Sequence, residues 1–571
     1  MKIKFIALVL VIATVNLFGK PYRCKMSGKQ LEADIIVVGG GAAGCVLMSE
    51  LSANGQFSVL GIEGGLNLTT DPAIEAVGLP AFLLAGTGKA KYFWPGWNQT
   101  LPMAGLNGRS SDWTTGMVLG GGASINGLYY GRGSNAVYSQ WEGVSGSSNW
   151  SLDNILATFN TLENYQGLTI TPGARGTNGA LSVLQTPTIS QITLNTLLPA
   201  CLAAFPGIPL VDDYNDPSVE NCIDPRAQWF IDPTGTQRAS SATAYLNSSV
   251  MTQGGQGVNG HKLFMLFDAV VVKIIFDKKG RAKKVQYMQN GQLLEAKAKK
   301  AVVLAGGINS SKILQLSGIG PSAALKNAGI KPVYINENVG QNLQNHPLIY
   351  ITMIGNQSDN GVPPGAPYAF TINSVYLPVV GGSASDPRML QILFEYVPAT
   401  NTTPAVVAVG FELLNPLSTG SVTIQSDNPF QIAAADDGFY QNPVDLTNMK
   451  NAVQVYIQEL LSQLSVLGYN PIPTDPINLV ILQGYSDSAV VSYVMNNSNL
   501  SLDVHHFTSH CKMAPQSAGG VVDGNLRVYG TKNVYVADDS ICPVIPDINT
   551  AASAMMIGLR GSQILKSVLA R

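Results

Sequence analysis

Residues 33–44 read Ala33-Asp34-Ile35-Ile36-Val37-Val38-Gly39-Gly40-Gly41-Ala42-Ala43-Gly44. The apolar run ending at Val38 has the character of a strand buried on both faces of a parallel sheet. Gly39-x-Gly41-x-x-Gly44 follows it directly. The first glycine allows a tight strand-to-helix turn, the second lets a pyrophosphate approach the backbone, and the third lets helix and strand pack closely. Residues 45–51 have helical character, residues 58–62 form a second apolar strand, and Glu63 stands nineteen positions past Gly44. An acid at that distance is placed for ribose hydroxyls, and the free N–H groups of the helix start favour phosphate. The predicted βαβ unit therefore binds a dinucleotide, with Gly39, Gly41, Ala42, Ala43, Gly44, Glu63 and Gly64 as its contacts. The motif alone leaves FAD and NAD equally open.

Outward from this unit, parallel and antiparallel signals alternate. Residues 80–115 read as loop and 160–235 as short strands and turns. Residues 262–276 read as one hairpin strand before the turn Asp277-Lys278-Lys279-Gly280. Residues 301–304 are a buried strand leading into a helix, and 346–430 alternate apolar and polar positions as antiparallel strands do. Residues 445–467 are predicted helical, 534–537 a strand and 551–569 a helix. The expected class is α/β (α+β overall). A Rossmann-like domain is assembled from residues 30–164, 236–345 and 495–571, and a substrate domain with an antiparallel sheet from 165–235 and 346–494.

Composition narrows the function. Of 571 residues 46% are apolar and only 12% charged, and the formal net charge is -2. An average soluble protein has about 25% charged residues. Nucleic-acid binding needs a basic face, so no such partner is expected. Lys2 and Lys4 precede an apolar run at 5–15, the pattern of a signal peptide cleaved near Gly19 and too short to cross a bilayer. A secreted protein is implied. Sequons at Asn67, Asn98, Asn149, Asn247, Asn356 and Asn401 would then be glycosylation positions, and Cys201 and Cys222 are near enough in sequence to pair. The six cysteines show no metal-site spacing, so no metal is expected. No Gly-x-Ser-x-Gly elbow follows a strand.

Further segments appear in order along the chain. They are Val118-Leu119-Gly120-Gly121-Gly122-Ala123-Ser124-Ile125-Asn126-Gly127, then Gly235-Thr236-Gln237-Arg238-Ala239-Ser240-Ser241, then residues 306–320 closing on Ser317-Gly318-Ile319-Gly320-Pro321. Val339-Gly340-Gln341-Asn342-Leu343-Gln344-Asn345-His346-Pro347, Leu526-Arg527-Val528-Tyr529-Gly530 and Val536-Ala537-Asp538-Asp539-Ser540 complete the series. With the glycine turn, these resemble the glucose–methanol–choline (GMC) oxidoreductases over nearly the whole chain from residue 33. The resemblance implies FAD as cofactor. Val118, Gly120, Gly121, Asn126, Gly127 and Leu128 would follow the pyrophosphate and flavin ring, Val271 would meet the adenine, and Ala305 and Gly306 would pass the adenosine half. Asp538 would lie by the phosphate or ribitol, and Asn549, Thr550 and Ala551 by the pyrimidine edge. Met117, Ala123, Gly307 and Asn345 depart from the family pattern, which bears on local loop contacts. Ile125 stands where some members carry a histidine bonded to the flavin, so FAD is expected to be non-covalent.

Three of the five histidines lie in Val504-His505-His506-Phe507-Thr508-Ser509-His510-Cys511. By resemblance His506 is the general base, a role suited to a side chain that titrates near working pH. His505 would shape the pocket and Asn549 would hold the substrate oxygen. His346 and His510 are expected to be structural. The implied reaction moves hydride from a small-molecule alcohol to flavin, with O₂ or a quinone-type acceptor taking the electrons. Self-association into a homo-oligomer is left open. Two other readings compete. Hydroxynitrile lyases share the fold, but that branch carries Tyr where Val504 stands and His where Asn549 stands. The low charge content would also suit a structural protein built on the same fold.

Overall fold

The computed structural model describes residues 25–27, 30–77, 89–95, 101–110, 113–355, 374–397, 404–496 and 505–570. The signal-peptide reading of residues 1–19 and the sequons at Asn98, Asn356 and Asn401 lie outside them. Among the described residues, no helix is long and apolar enough to cross a membrane.

Five strands make the parallel half of an eight-stranded sheet. Their spatial order is Leu263–Leu266, Val59–Ile62, Gln30–Val38, Gln292–Leu304 and Val534–Val536. Ile35, Ile36, Val37, Val59 and Leu60 are fully buried, which is why these strands read as continuous apolar runs. Gln292–Leu304 belongs to two arrangements. Its first half pairs antiparallel with Ala282–Gln289, which in turn pairs with Ala269–Phe276. Its second half runs parallel to Gln30–Val38 and Val534–Val536, and a register shift between Ala298 and Ala301 marks the change. Residues 262–276 are therefore two strands and not the one expected from sequence. Asp268, at φ 52°, turns the chain from the parallel strand Leu263–Leu266 into the meander.

The first helix, Ala42–Ser52, begins before residue 45 because Gly41 is extended and the Cys45 N–H already donates to the Gly41 carbonyl at 3.1 Å. The last helix, Ala551–Leu569, crosses it so closely that a Cβ on Gly558 would lie 2.5 Å from the Ala43 carbonyl oxygen.

The alternating region forms a second, six-stranded antiparallel sheet. Its order is Tyr469–Pro471, Leu348–Gly355, Ala405–Leu413, Leu390–Val397, Ser374–Leu377 and Cys222–Asp224. Residues 445–467 are helical as expected, with a π-helical stretch at Val453–Ile457 between Pro443–Ala452 and Gln458–Val466. Cys222 carries a free, buried thiol in its strand, so the sequence-based pairing with Cys201 is not formed. Cys201 belongs to the helix Leu198–Ala204 and packs into the core of the second sheet, whereas Cys222 packs with the first core.

Candidate active site

A cavity of about 650 Å³ lies where the carboxyl ends of the parallel strands meet one face of the antiparallel sheet. Ligands of open α/β sheets bind at those strand ends. Gly39 leaves the central strand at φ 99°, and a Cβ there would lie 2.4 Å from the Ala305 carbonyl oxygen. A Cβ on Gly44 would lie 2.0 Å from the Gly39 carbonyl oxygen. Overpacking of that kind costs about 1–3 kcal/mol. Gly44→Ala is expected to push the helix off the strand and yield protein with little bound cofactor, read from its visible absorbance. Normal loading would show that the turn does not depend on this close approach.

Glu63 fastens the turn from beneath. Its carboxylate accepts the N–H groups of Gly40 at 2.6 Å and Gly65 at 2.7 Å. Burial pushes its carboxyl up, and these N–H donors oppose the shift. Glu63 also lines the cavity, as do Gly39, Gly41, Ala42, Ala43, Gly64, Gly121, Asn126, Gly127 and Val271. Ala305, Gly306, His505, Asp538, Thr550 and Ala551 do so too. Asp538 accepts the Gly307 N–H at 2.9 Å and the Ser310 hydroxyl at 2.6 Å, tying the last strand to the third segment.

Gly44, Gly120, Val118 and Leu128, also expected at the cofactor, are not among the residues that line this cavity. Gly44 is held against the strand, and the Gly120 N–H donates to the Gly40 carbonyl at 2.6 Å, clamping the second loop to the first turn. Val118 packs with Ile74, Phe93 and Ile125, and Leu128 is buried at φ 69°.

The two expected catalytic side chains meet. The Nε2 atom of His506 is 3.2 Å from Asn549 Nδ2, and both residues line the cavity. Behind the His506 ring lies a group the sequence reading did not assemble. The Asn345 Oδ1 atom accepts the backbone N–H groups of both His346 and His506 at 3.0 Å, setting the two histidines side by side. Their Nδ1 atoms are 2.9 Å apart. Glu412 Oε1 lies 2.8 Å from Nδ1 of His346 and 3.1 Å from Nδ1 of His506. All three side chains are buried. Burial alone would push the Glu412 carboxyl up, but the two imidazoles outweigh it and hold the group at about 2. Glu412 is therefore an anion at any working pH. With the Asn549 amide donating to Nε2, the ring proton of neutral His506 sits on Nδ1, facing Glu412. The ligand atoms of the three also lie within 4.8 Å of one another, close enough for a divalent cation. Their separations are those of a charge-assisted hydrogen-bonded group.

His346, expected to be structural, thus touches the expected base. His510 lies apart, its Nδ1 2.9 Å from Ser311 Oγ and its imidazole pushed by burial down to about 3. Glu412 left a trace in the sequence as the one charge in the apolar strand Ala405–Leu413, and Glu395 left the same trace in Leu390–Val397. A buried charge in a sheet strand needs a partner, which is the signal that finds both.

Two family models match the chain, both described as GMC oxidoreductase, over residues 33–348 and 416–558. An oxygen-dependent choline dehydrogenase of Vibrio vulnificus is 30% identical, over 94% of this chain and 94% of its own length. A pyranose dehydrogenase of Agaricus campestris is 28% identical, over 90% of each. Among solved structures, a formate oxidase superposes with TM-score 0.80 at 21% identity over 95% of this chain and 99% of its own. A pyridoxine 4-oxidase from Mesorbium loti gives TM-score 0.78 at 22% identity, over 93% and 98%. The chain belongs to the GMC oxidoreductase family of FAD-dependent enzymes that oxidise CH–OH donors.

Proposed function

We propose that His506 and Asn549 form the catalytic pair of an alcohol oxidation, with Glu412 and His346 supporting His506 from behind. The observation that carries this reading is the 3.2 Å approach of Asn549 to His506 Nε2 at the cavity wall, with the Glu412 anion 3.1 Å from the opposite nitrogen.

The cavity's donors fit FAD. The helices Ala42–Ser52 and Ala551–Leu569 both start at its wall without a side-chain cap, leaving N–H groups for phosphate and for the electron-rich edge of the ring. A Cβ on Gly127 would meet nothing within 4 Å, so the backbone there is open to close approach. Ile125 lines the same wall with an apolar side chain that offers no bond to the flavin, which supports non-covalent binding. When bound, FAD supplies the hydride acceptor, and its electrons pass to O₂ or a quinone-type acceptor.

The protein's own groups manage the proton. The Asn549 amide holds the substrate oxygen; its own Oδ1 is buried with no hydrogen-bond partner among the described residues. His506 Nε2 takes the hydroxyl proton as the carbonyl forms. The resulting imidazolium is paired with Glu412, so no uncompensated charge is left in the cavity. Leu348, Leu393 and Phe507 line the same cavity with apolar side chains.

The division into an FAD domain (30–164, 236–345 and 495–571) and a substrate domain (165–235 and 346–494) belongs to the same reading, supported by the two sheets. So does export, supported by the basic and apolar pattern of residues 1–19.

One preparation tests the reading. Anaerobic addition of an alcohol panel is expected to bleach the flavin bands, and acid precipitation to release all the FAD to the supernatant. Oxidised flavin that survives every alcohol would remove the oxidation reading. Yellow colour retained in the pellet would remove the non-covalent one.

A further inference from the structure

The Asn345 amide can be set in two ways, and only one of them serves the histidines. Its Oδ1 accepts the backbone N–H groups of His346 and His506. Turned over, it would present N–H donors to N–H donors. Its orientation is fixed from the far side, where Nδ2 donates to Asp437 Oδ1 at 3.0 Å. Asp437 Oδ2 in turn accepts the Trp113 Nε1–H at 2.9 Å. Asn345, Asp437 and Trp113 are at most 2% exposed. Both oxygens of the acid thus take N–H donors, the pattern that an ionised carboxylate satisfies.

A small sheet brings the acid to this place. Gln341–Leu343 and Ala434–Asp436 both pair antiparallel with Gly420–Thr423, so they run parallel to each other and end at the same edge. Gln341 and Asp436 stand opposite the same residue, Ser421. Asn345 follows the first strand by two residues, and Asp437 directly follows the other. Trp113 joins from the chain just before Val118 and packs on Phe507, with ring centroids 4.1 Å apart. Phe507 is next in the chain to His506 and lines the cavity. The base is therefore held twice from this side, by Asn345 at its own N–H and by Trp113 through its neighbour. Asp437 is bonded to both.

We propose that Asp437 is a positioning residue for the alcohol oxidation: through Asn345 and Trp113 it sets where His506 stands against the substrate oxygen. The proposal rests on the reading of His506 as the base and adds the group that places it. Asp437 is not among the residues that line the cavity, so its effect passes through the two donors it accepts. The pattern demands an acceptor-only group at 437. An amide there has one oxygen for two N–H donors, and either Trp113 or Asn345 would face its NH₂ group. Exchanging the two side chains restores the count at unchanged total charge. A carboxylate at 345 accepts from both histidine N–H groups and from an amide at 437, whose oxygen is left for Trp113.

The test measures anaerobic flavin reduction against alcohol concentration in FAD-loaded wild type, D437N and N345D/D437N, with melting temperature as the measure of fold. D437N is expected to lower the limiting rate roughly 10- to 100-fold, since a misplacement of about 1 Å can cost the upper figure. The alcohol concentration for half the limiting rate is expected to stay within about 3-fold, because the substrate-lining groups are untouched. N345D/D437N is expected to recover most of the lost rate. A wild-type limiting rate in D437N overturns the proposal, as does a loss confined to alcohol affinity or melting temperature. A double variant no better than D437N overturns it too, whether it fails in rate or in folding. If D437N yields no loaded protein, W113F takes its place as the milder probe, and an unchanged limiting rate there overturns the proposal. H506A separates the two readings. If it is slow while D437N is not, only the role of Asp437 falls; if it reduces flavin at the wild-type rate, both fall.

Discussion

His506→Ala is expected to slow flavin reduction by alcohols by roughly 10²- to 10⁴-fold, the range that a positioned general base supplies. The bound FAD should remain, because the substitution leaves the glycine turn and the Glu63 contacts that fasten it untouched. The alanine leaves Glu412 paired with His346 alone, so the buried anion keeps one partner and the fold is expected to survive. Stopped-flow reduction under anaerobic conditions, with the flavin spectrum as loading control, reads both halves. Wild-type reduction rates in a fully loaded variant would remove His506 from the chemistry.

Glu412→Gln tests the group behind the base. An anion held at about 2 stays charged across the whole working range, so the wild-type imidazolium is always paired. The glutamine keeps the shape and loses the charge. Proton uptake by His506 then becomes less favourable, and kcat is expected to fall by roughly 10- to 100-fold, the worth of a charge-assisted hydrogen bond. The sign of the pH effect is specific. Wild-type activity is lost as pH falls and the base takes up a proton before substrate arrives. Without the anion that uptake needs a lower pH, so the acid limb of the kcat/KM profile moves down. A fall in rate with an unmoved limb would assign Glu412 to packing alone.

What the sequence revealed and what it hid follow from the range of each constraint. The turn at Gly39 and Gly44 is legible because backbone clashes exclude every other side chain there. Glu63 is legible because its partners, Gly40 and Gly65, are fixed by the same short unit. His506 and Asn549 were paired through family resemblance, and the structure brings them within contact. Glu412 and His346 were not assembled, because their meeting depends on strand register and on the Asn345 side chain, neither of which leaves a local pattern. The alternation of 346–430 was readable, yet it does not say which face looks into the cavity. Asp268 escaped notice because a single left-handed residue between two apolar strands breaks no periodicity.

The sheet that spans from Leu263–Leu266 to Val534–Val536 also sets the timetable of the protein's birth. Its central strand and the neighbour Val59–Ile62 are made at the start of synthesis, Leu263–Leu266 and Gln292–Leu304 midway, and its last strand and the covering helix only at the end. Until the last segment leaves the ribosome, the edge of Gln292–Leu304 at Val302–Leu304 has no mate, and the helix Ala42–Ser52 lacks its covering partner. Such long-range pairings fold slowly and leave an exposed edge prone to aggregation while they wait. A nascent chain of this protein therefore carries that open edge until translation finishes. A chain stopped shortly before residue 534 would lack a wall of the cofactor cavity as well as a tail.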